Sequence, residues 1–286
     1  MAPRLVSLSG MSLAALLAAT PLAQAADYLR GAYAGHVEAK SAGVDWAGVY
    51  AGAHVGFSSA KTDYTELGQT LGRGVLPNLA ISDQIPALIH MGQVRKQGST
   101  FGVFAGMNYL WDDVMLGYEA DYTRSTVTAN ASSGPISRGL SAASTGTDIW
   151  STTVSANARS KLSDWATLRG RAGWAAGYFM PYITAGLAFG NITSLGTATG
   201  STTQFAVTAD PLTGLPVMTP RGATANTTQV KHRGISYGGV VGAGVDMAFF
   251  SNFFVRAEWQ YLQFASGGNR PEMAINTARV AGAVKF

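Results

Sequence analysis

The most regular stretch of the chain is its last 35 residues or so, where polar and apolar positions alternate with a period of two. Phe253, Val255, Ala257, Trp259 and Tyr261 fall on one side, and Arg256, Glu258 and Gln260 on the other. The final segment repeats the pattern, with Ala278, Val280, Gly282, Val284 and Phe286 set against Thr277, Arg279, Ala281, Ala283 and Lys285. One face is apolar and rich in rings, while the other carries charges of both signs. Segments of about ten residues with this alternation mark transmembrane β-barrel strands, apolar toward lipid and polar toward the lumen. Six further segments alternate in the same way, at 46–57, 100–110, 114–128, 165–176, 181–193 and 234–249.

The connections add a second, independent pattern. Three are long and polar (58–98, 129–164 and 194–233), and they alternate with short turns at 111–113, 177–180 and 250–252. A connection of moderate length, holding Gly267, Gly268 and Pro271, precedes the last strand. Bacterial barrels keep short turns in the periplasm and long loops outside. The expectation is therefore an all-β fold, an eight-stranded antiparallel up-and-down transmembrane β-barrel with three long extracellular loops and both termini in the periplasm. The 58–98 loop is expected to hold a short helix, and the alternation at 148–160 to extend a hairpin above the membrane. Trp46, Trp111, Trp165, Phe249, Phe250, Phe253 and Phe286 fall near strand ends, where interfacial girdles of rings are expected.

Composition narrows this further. Arg4, the apolar run 5–22 and the small-residue site Ala23-Gln24-Ala25 predict a cleaved signal peptide over residues 1–25. A periplasmic N-terminal segment (26–45) then precedes a barrel domain (46–286). Pro21 and the small residues interrupt the run before it reaches membrane-spanning length, and no other stretch is long and apolar enough for a membrane helix. Cysteine is absent, which excludes disulfides and thiolate metal sites. The formal charge of +4 is too mild to argue for nucleic acid. The 35 glycines suit strands lining a crowded interior.

Three motifs carry a family likeness: Asp45–Phe57 (DWAGVYAGAHVGF), 166–175 (ATLRGRAGWA) and 181–190 (PYITAGLAFG). With them the chain resembles the small outer-membrane barrels of alphaproteobacteria, the Brucella surface-antigen and rhizobial RopB-like proteins of the porin family, related to the OmpA transmembrane domain. The resemblance spans the strands and leaves the loops out. It implies an outer-membrane location and a structural or surface role, and it transfers no catalytic residue.

Candidate chemistry lies in two charge sets. Glu119, Asp121, Asp246 and Glu258 are expected to face Arg169, Arg171, Arg256, Arg279 and Lys285 inside the lumen. An eight-stranded ring leaves room only for side chains, so these charges read more readily as a paired plug than as a pore lining. The second set is Arg95, Lys96, Arg124, Arg159, Lys161, Lys231 and Arg233, all at or above the outer lipid boundary. Such cations snorkel as a matter of course, and they also suit the phosphates of lipopolysaccharide. The four histidines have no ligand spacing, no cofactor motif occurs, and no nucleophile–base order points to an enzyme. His54 with Ser236 is the one pairing that invites a hydrolase reading. The expected function is a structural outer-membrane barrel supporting envelope integrity and surface interaction. The alternatives are a narrow channel weakly favouring anions, and a loop-borne adhesin or receptor. Expected partners are outer-membrane lipid and lipopolysaccharide, and the barrel-assembly machinery through the strand ending at Phe286.

Overall fold

The alternating segments all form strands. The computed structural model describes residues 44–141, 148–265 and 271–286. The expected signal peptide, the N-terminal segment up to residue 43 and the Gly267–Gly268 loop lie outside the described residues. Among the described residues the strands are β1 (Gly48–Asp63), β2 (Gln93–Trp111), β3 (Val114–Ser125), β4 (Thr128–Ser141), β5 (Ile149–Trp174), β6 (Phe179–Ala209), β7 (Pro216–Phe250), β8 (Phe253–Phe264) and β9 (Glu272–Lys285), with one α-helix, α1 (Thr65–Val75), and a short 3-10 helix at Ile85–Leu88. Their spatial order is β3-β2-β1-β9-β8-β7-β6-β5-β4, and β3 also pairs with β5. That last pairing closes an antiparallel ring of eight strands and leaves β4 outside it.

β3 and β4 are one wall strand bent at Thr126 and Val127. Val127 turns its side chain inward, and its carbonyl accepts a hydrogen bond from the Leu162 N–H at 3.3 Å. β5 carries a bulge at the same level, between Leu162 and Asp164, and a bulge bends a strand and increases its twist. Below the bend β3 seals the ring. Above it β4 pairs with β5 from Thr128↔Lys161 to Ser141↔Ile149, so the hairpin continues beyond the barrel.

The expected third polar loop, 194–233, is instead the upper half of a hairpin in which β6 has 31 residues and β7 has 35. Its alternation is between small residues, Gly196, Ala198 and Gly200 inward against Thr197, Thr199 and Ser201 outward, so hydropathy does not flag it. The β-branched threonines favour the pleated conformation. The inner face is covered by α1, whose Leu67, Leu71 and Val75 recur at a spacing of four and are buried. With Tyr64, Ile81, Ile85 and Trp150 they form an apolar core above the ring. Gly196 is what lets the helix approach: a Cβ there would stand 3.0 Å from Leu71 and 3.3 Å from Leu67. Each buried leucine contributes about 1.5–3 kcal/mol.

The ring residues divide as their alternation requires. Val55, Phe101, Leu116, Leu187 and Trp259 are exposed on the outside, and the polar partners are buried within. Two expected girdle residues are corrected. Trp46 and Trp165 are 3% and 1% exposed and point into the lumen. Trp165 shares the inward parity of Arg169 and Arg171, and Trp46 turns its indole N–H to the Gly177 carbonyl at 3.1 Å. Trp111, Phe249, Phe250 and Phe286 do stand outside.

Two expectations follow. A tag inserted at Gly214, in the β6–β7 turn, should be reached by antibody on intact cells, and one at Gly177, in the β5–β6 turn, only after permeabilisation; labelling of Gly177 on intact cells would invert the topology. Gly196→Leu should overpack the helix seat at a cost of about 1–3 kcal/mol and lift α1, seen as faster protease cleavage between residues 64 and 92 in a barrel that otherwise stays folded.

Candidate functional site: a filled lumen and a cationic outer face

Large polar side chains fit inside so narrow a ring because glycines face them. A Cβ at Gly106 or Gly244 would collide with the hydroxyl end of Tyr50 or Tyr182. The two tyrosines therefore lie across the lumen. Tyr50 donates to Glu119 at 2.9 Å and accepts from Arg171 at 2.6 Å, while Tyr182 donates to Glu258 at 2.5 Å.

Around them four carboxylates meet four guanidiniums, all buried. Arg256 grips Asp246 with two bonds, at 2.7 and 3.0 Å, and reaches Glu119 at 2.6 Å. Arg171 donates to the same Asp246 at 2.8 Å. Arg169 bridges Glu119 and Glu258. Arg279 bridges Glu258 at 2.8 Å and Asp121 at 2.6 Å. Rings cover the guanidiniums, with Arg171 4.0 Å from the Tyr182 centroid and Arg256 4.5 Å from that of Phe104. A charge in this position is tolerable only when paired and hydrogen-bonded, and each one here is shared between partners.

Eight of the nine expected lumen residues are thus brought together. Lys285 is not among them. It lies at the short-turn rim, where its ammonium donates to the Asp45 carbonyl and stands 3.4 Å from the Asp45 carboxylate. β9 ends there, below the level of the network. Without Lys285 the charges of the lumen network balance, four against four, which removes the excess of bases behind the anion preference. Sequence reasoning missed Tyr50 and Tyr182. His54 does face the lumen, but its Nε2 lies 3.0 Å from Asp121, 3.2 Å from Thr123 and 3.3 Å from Arg279, and Ser236 is not among these contacts.

Apolar layers close the network from both sides. Toward the short turns lie Trp46, Phe104, Met115, Met180 and Phe254. Toward the long hairpins lie Val127, Leu162, Trp165, Leu262, Phe264 and Ile275, and above them comes the α1 core.

Outside the wall, register decides which of the seven expected surface cations meet. Arg159 and Lys231 both flank Leu195 of β6, and Lys161 and Arg233 both flank Thr193. These four exposed side chains occupy the corners of a rectangle of about 7 by 10 Å, set by residue and strand spacing. Arg124 stands one row lower, opposite Asp164. Arg95 and Lys96 lie away from them on β2, opposite Lys61 and Ala60 of β1. Lys61 was not among the seven, because the strand that carries it was expected to end at residue 57 and runs instead to Asp63.

A closed antiparallel ring, apolar outside and polar within, defines a transmembrane β-barrel. The chain belongs to the outer membrane protein beta-barrel domain family, whose model matches residues 11–286. Among solved structures it is similar to the Neisserial surface protein A, at 12% identity and a TM-score of 0.38 over 83% of this chain and 97% of that one. It is also similar to Ail, the attachment invasion locus protein of Yersinia pestis, at 8% identity and a TM-score of 0.30 over 84% and 99%. The N-terminal β-barrel domain of Pseudomonas aeruginosa OprF matches at 14% identity and a TM-score of 0.29 over 82% and 99%. Comparison with curated proteins gives no match.

Arg256→Met should lower barrel stability by about 3–5 kcal/mol, because Asp246 and Glu119 each then keep their buried charge with one guanidinium partner fewer. Pairing it with Asp246→Leu should cost less than the two single changes together. Urea unfolding in lipid vesicles measures both; an Arg256→Met barrel as stable as its parent would show that the network contributes nothing.

Proposed function

We propose that the chain is a closed structural barrel of the Gram-negative outer membrane, which anchors a rigid extracellular β-hairpin blade and supports the envelope around it. The observation that carries this reading is the filled lumen: a balanced charge network between two apolar layers, under a helix that caps the outer end. Such an interior favours a plug over a channel, since an ion crossing it would have to break shared charge pairs and push through a layer of hydrocarbon on either side. The strand motifs at 45–57, 166–175 and 181–190 support a place beside the Brucella surface-antigen and RopB-like barrels. The N-terminal A-x-A site supports export by a cleaved signal peptide, and Phe286, the aromatic residue following β9, supports delivery by the barrel-assembly machinery.

Surface binding is the second reading, and a different observation favours it. The β6–β7 tip exposes Leu212 (94%), Leu215 (65%) and Met218 (57%), an apolar cluster on the hairpin that reaches furthest from the ring. Changing all three to serine should reduce whole-cell adherence to host surfaces if the tip is the contact, and unchanged adherence removes this reading.

In planar bilayers the parent barrel should show no stepwise conductance. Arg169→Gln with Arg171→Gln leaves four lumen carboxylates against two guanidiniums, and should admit water and produce small, cation-favouring steps. Steady single-channel conductance in the parent would overturn the closed-barrel reading.

A further inference from the structure

We propose that the cationic face of β5–β7 is a binding site for the phosphate groups of a glycolipid headgroup in the surrounding outer leaflet, namely lipopolysaccharide. The proposal rests on the orientation given above, with the long hairpins outside.

Three observations converge on it. First, Arg159, Lys161, Lys231 and Arg233 share one outward face in two adjacent rows, and among the described residues none of them makes an ion pair. Asp164, one row lower, faces Arg124 across the β3–β5 pairing. Four like charges held this close repel one another, so an anion placed among them gains from all four. Second, the height is right. Two rows below Lys161 and Arg233 the wall presents Tyr122, Ala166, Phe189 and Tyr237 in register, and the rings of Phe189 and Tyr237 meet edge to face at 5.9 Å. Rings of this kind sit at the membrane–water interface, which sets the cations about 13 Å further along the strands, on the headgroup side of that boundary. Third, a cavity of about 430 Å³ opens on the same face immediately above, lined by Asn130, Ser132, Asn157, Arg159, Leu195 and Thr197. Amide and hydroxyl groups beside an arginine suit the hydroxyls of a phosphorylated sugar, and arginine can hold a phosphate through two parallel bonds.

A soluble phosphate has the same chemistry but a weaker claim. Exposed cations hold a free anion poorly in salt-screened water, whereas the phosphates of a membrane lipid are confined to this layer and meet the site at high effective concentration. Arg95 and Lys61, across the barrel, have Asp63 and Glu272 in the row above them, and form no comparable field.

The test uses the full folded barrel in detergent, with three probes: bisphosphorylated lipid A, its dephosphorylated form and inositol hexakisphosphate. The parent should bind bisphosphorylated lipid A at least about tenfold more tightly than the dephosphorylated form, the scale of one or two charge-assisted bonds. Arg159→Gln, Lys161→Gln, Lys231→Gln and Arg233→Gln together should abolish that difference. Exchanging arginine and lysine at the four positions should keep most of it, and Lys61→Gln with Arg95→Gln should leave it unchanged. Heat-modifiable gel mobility verifies the fold of each variant; should the fourfold change fail to fold, Lys231→Glu with Arg233→Glu gives the same reading. Equal binding by parent and glutamine variant, or equal binding of the two lipid A forms, overturns the proposal. Inositol hexakisphosphate binding as tightly as lipid A overturns the lipid assignment. A conducting parent barrel would defeat the closed-barrel reading and leave this binding result standing.

Discussion

Everything in this molecule depends on closing a hydrogen-bonded ring. In hydrocarbon no water is available to satisfy a bare backbone N–H or C=O, so a sheet that crosses a membrane must have no open edge. The chain meets that demand at the β3–β5 pairing, which runs from Val114↔Trp174 to Arg124↔Asp164 and stops where the membrane-level wall ends. Once eight strands close, their number fixes the bore. The interior is then too narrow for a water-filled channel and must be packed with side chains like any protein core. The glycines opposite Tyr50 and Tyr182 and the folded-over arginines are the local solution to that demand.

Packing the bore with charges rather than hydrocarbon calls for a reason, because buried ion pairs often add little net stability over apolar residues of the same volume. Register supplies one. Side chains alternate with a period of two, so a slip of one residue exchanges the lipid face for the lumen face along a whole strand. With apolar residues on both faces the slip would cost little. With Asp246 opposite Arg256, Glu119 opposite Arg169 and Glu258 opposite Arg279, a slipped strand would carry unpaired charge into lipid. The network thereby penalises the wrong pairings as strongly as it supports the right one.

The same logic explains what could be read from the sequence and what could not. Alternation with rings on one side is a local signal, and it located the eight ring segments and the inward parity of Glu119, Arg169, Asp246 and Arg256. The short turn at 250–252 even implies the Asp246–Arg256 pairing, since the hairpin leaves little choice of register. Glu119 with Arg169 was not legible in that way, because β3 and β5 are separated by β4 and its hairpin. Nor was the upper half of β6 and β7: the inner face of β6 at Gly196, Ala198 and Gly200 has only small residues, and the hydrophobic residues that cover it, Leu67, Leu71 and Val75, come from a helix more than a hundred residues earlier in the chain. The two misplaced tryptophans have a similar cause. Position near a strand end suggested a girdle, but parity, which decides between lipid and lumen, sends Trp165 inward.

Above the ring the constraint changes, because water can satisfy an open edge. There β7 above Tyr237 pairs only with β6, and β4 only with β5, among the described residues. Open edges of this length are templates for unwanted pairing between molecules, and proteins blunt them with prolines, bulges and cations. The blade carries all three. Pro216 and Pro220 lie on β7, whose pairing with β6 shifts register between Gln204 and Phe205, and Pro135 on β4 falls within the register shift between Ser133 and Ile136. Arg138 lies on β4, and Arg221, Lys231 and Arg233 on β7. Lys231 and Arg233 thus serve two ends. Their charge protects an open edge from a second copy of itself, and on the face of the sheet it meets Arg159 and Lys161 to form the field that suits a phosphate. The protected edge and the proposed phosphate site thus draw on one charge, since whatever repels a second blade would also attract an anionic headgroup standing between the two.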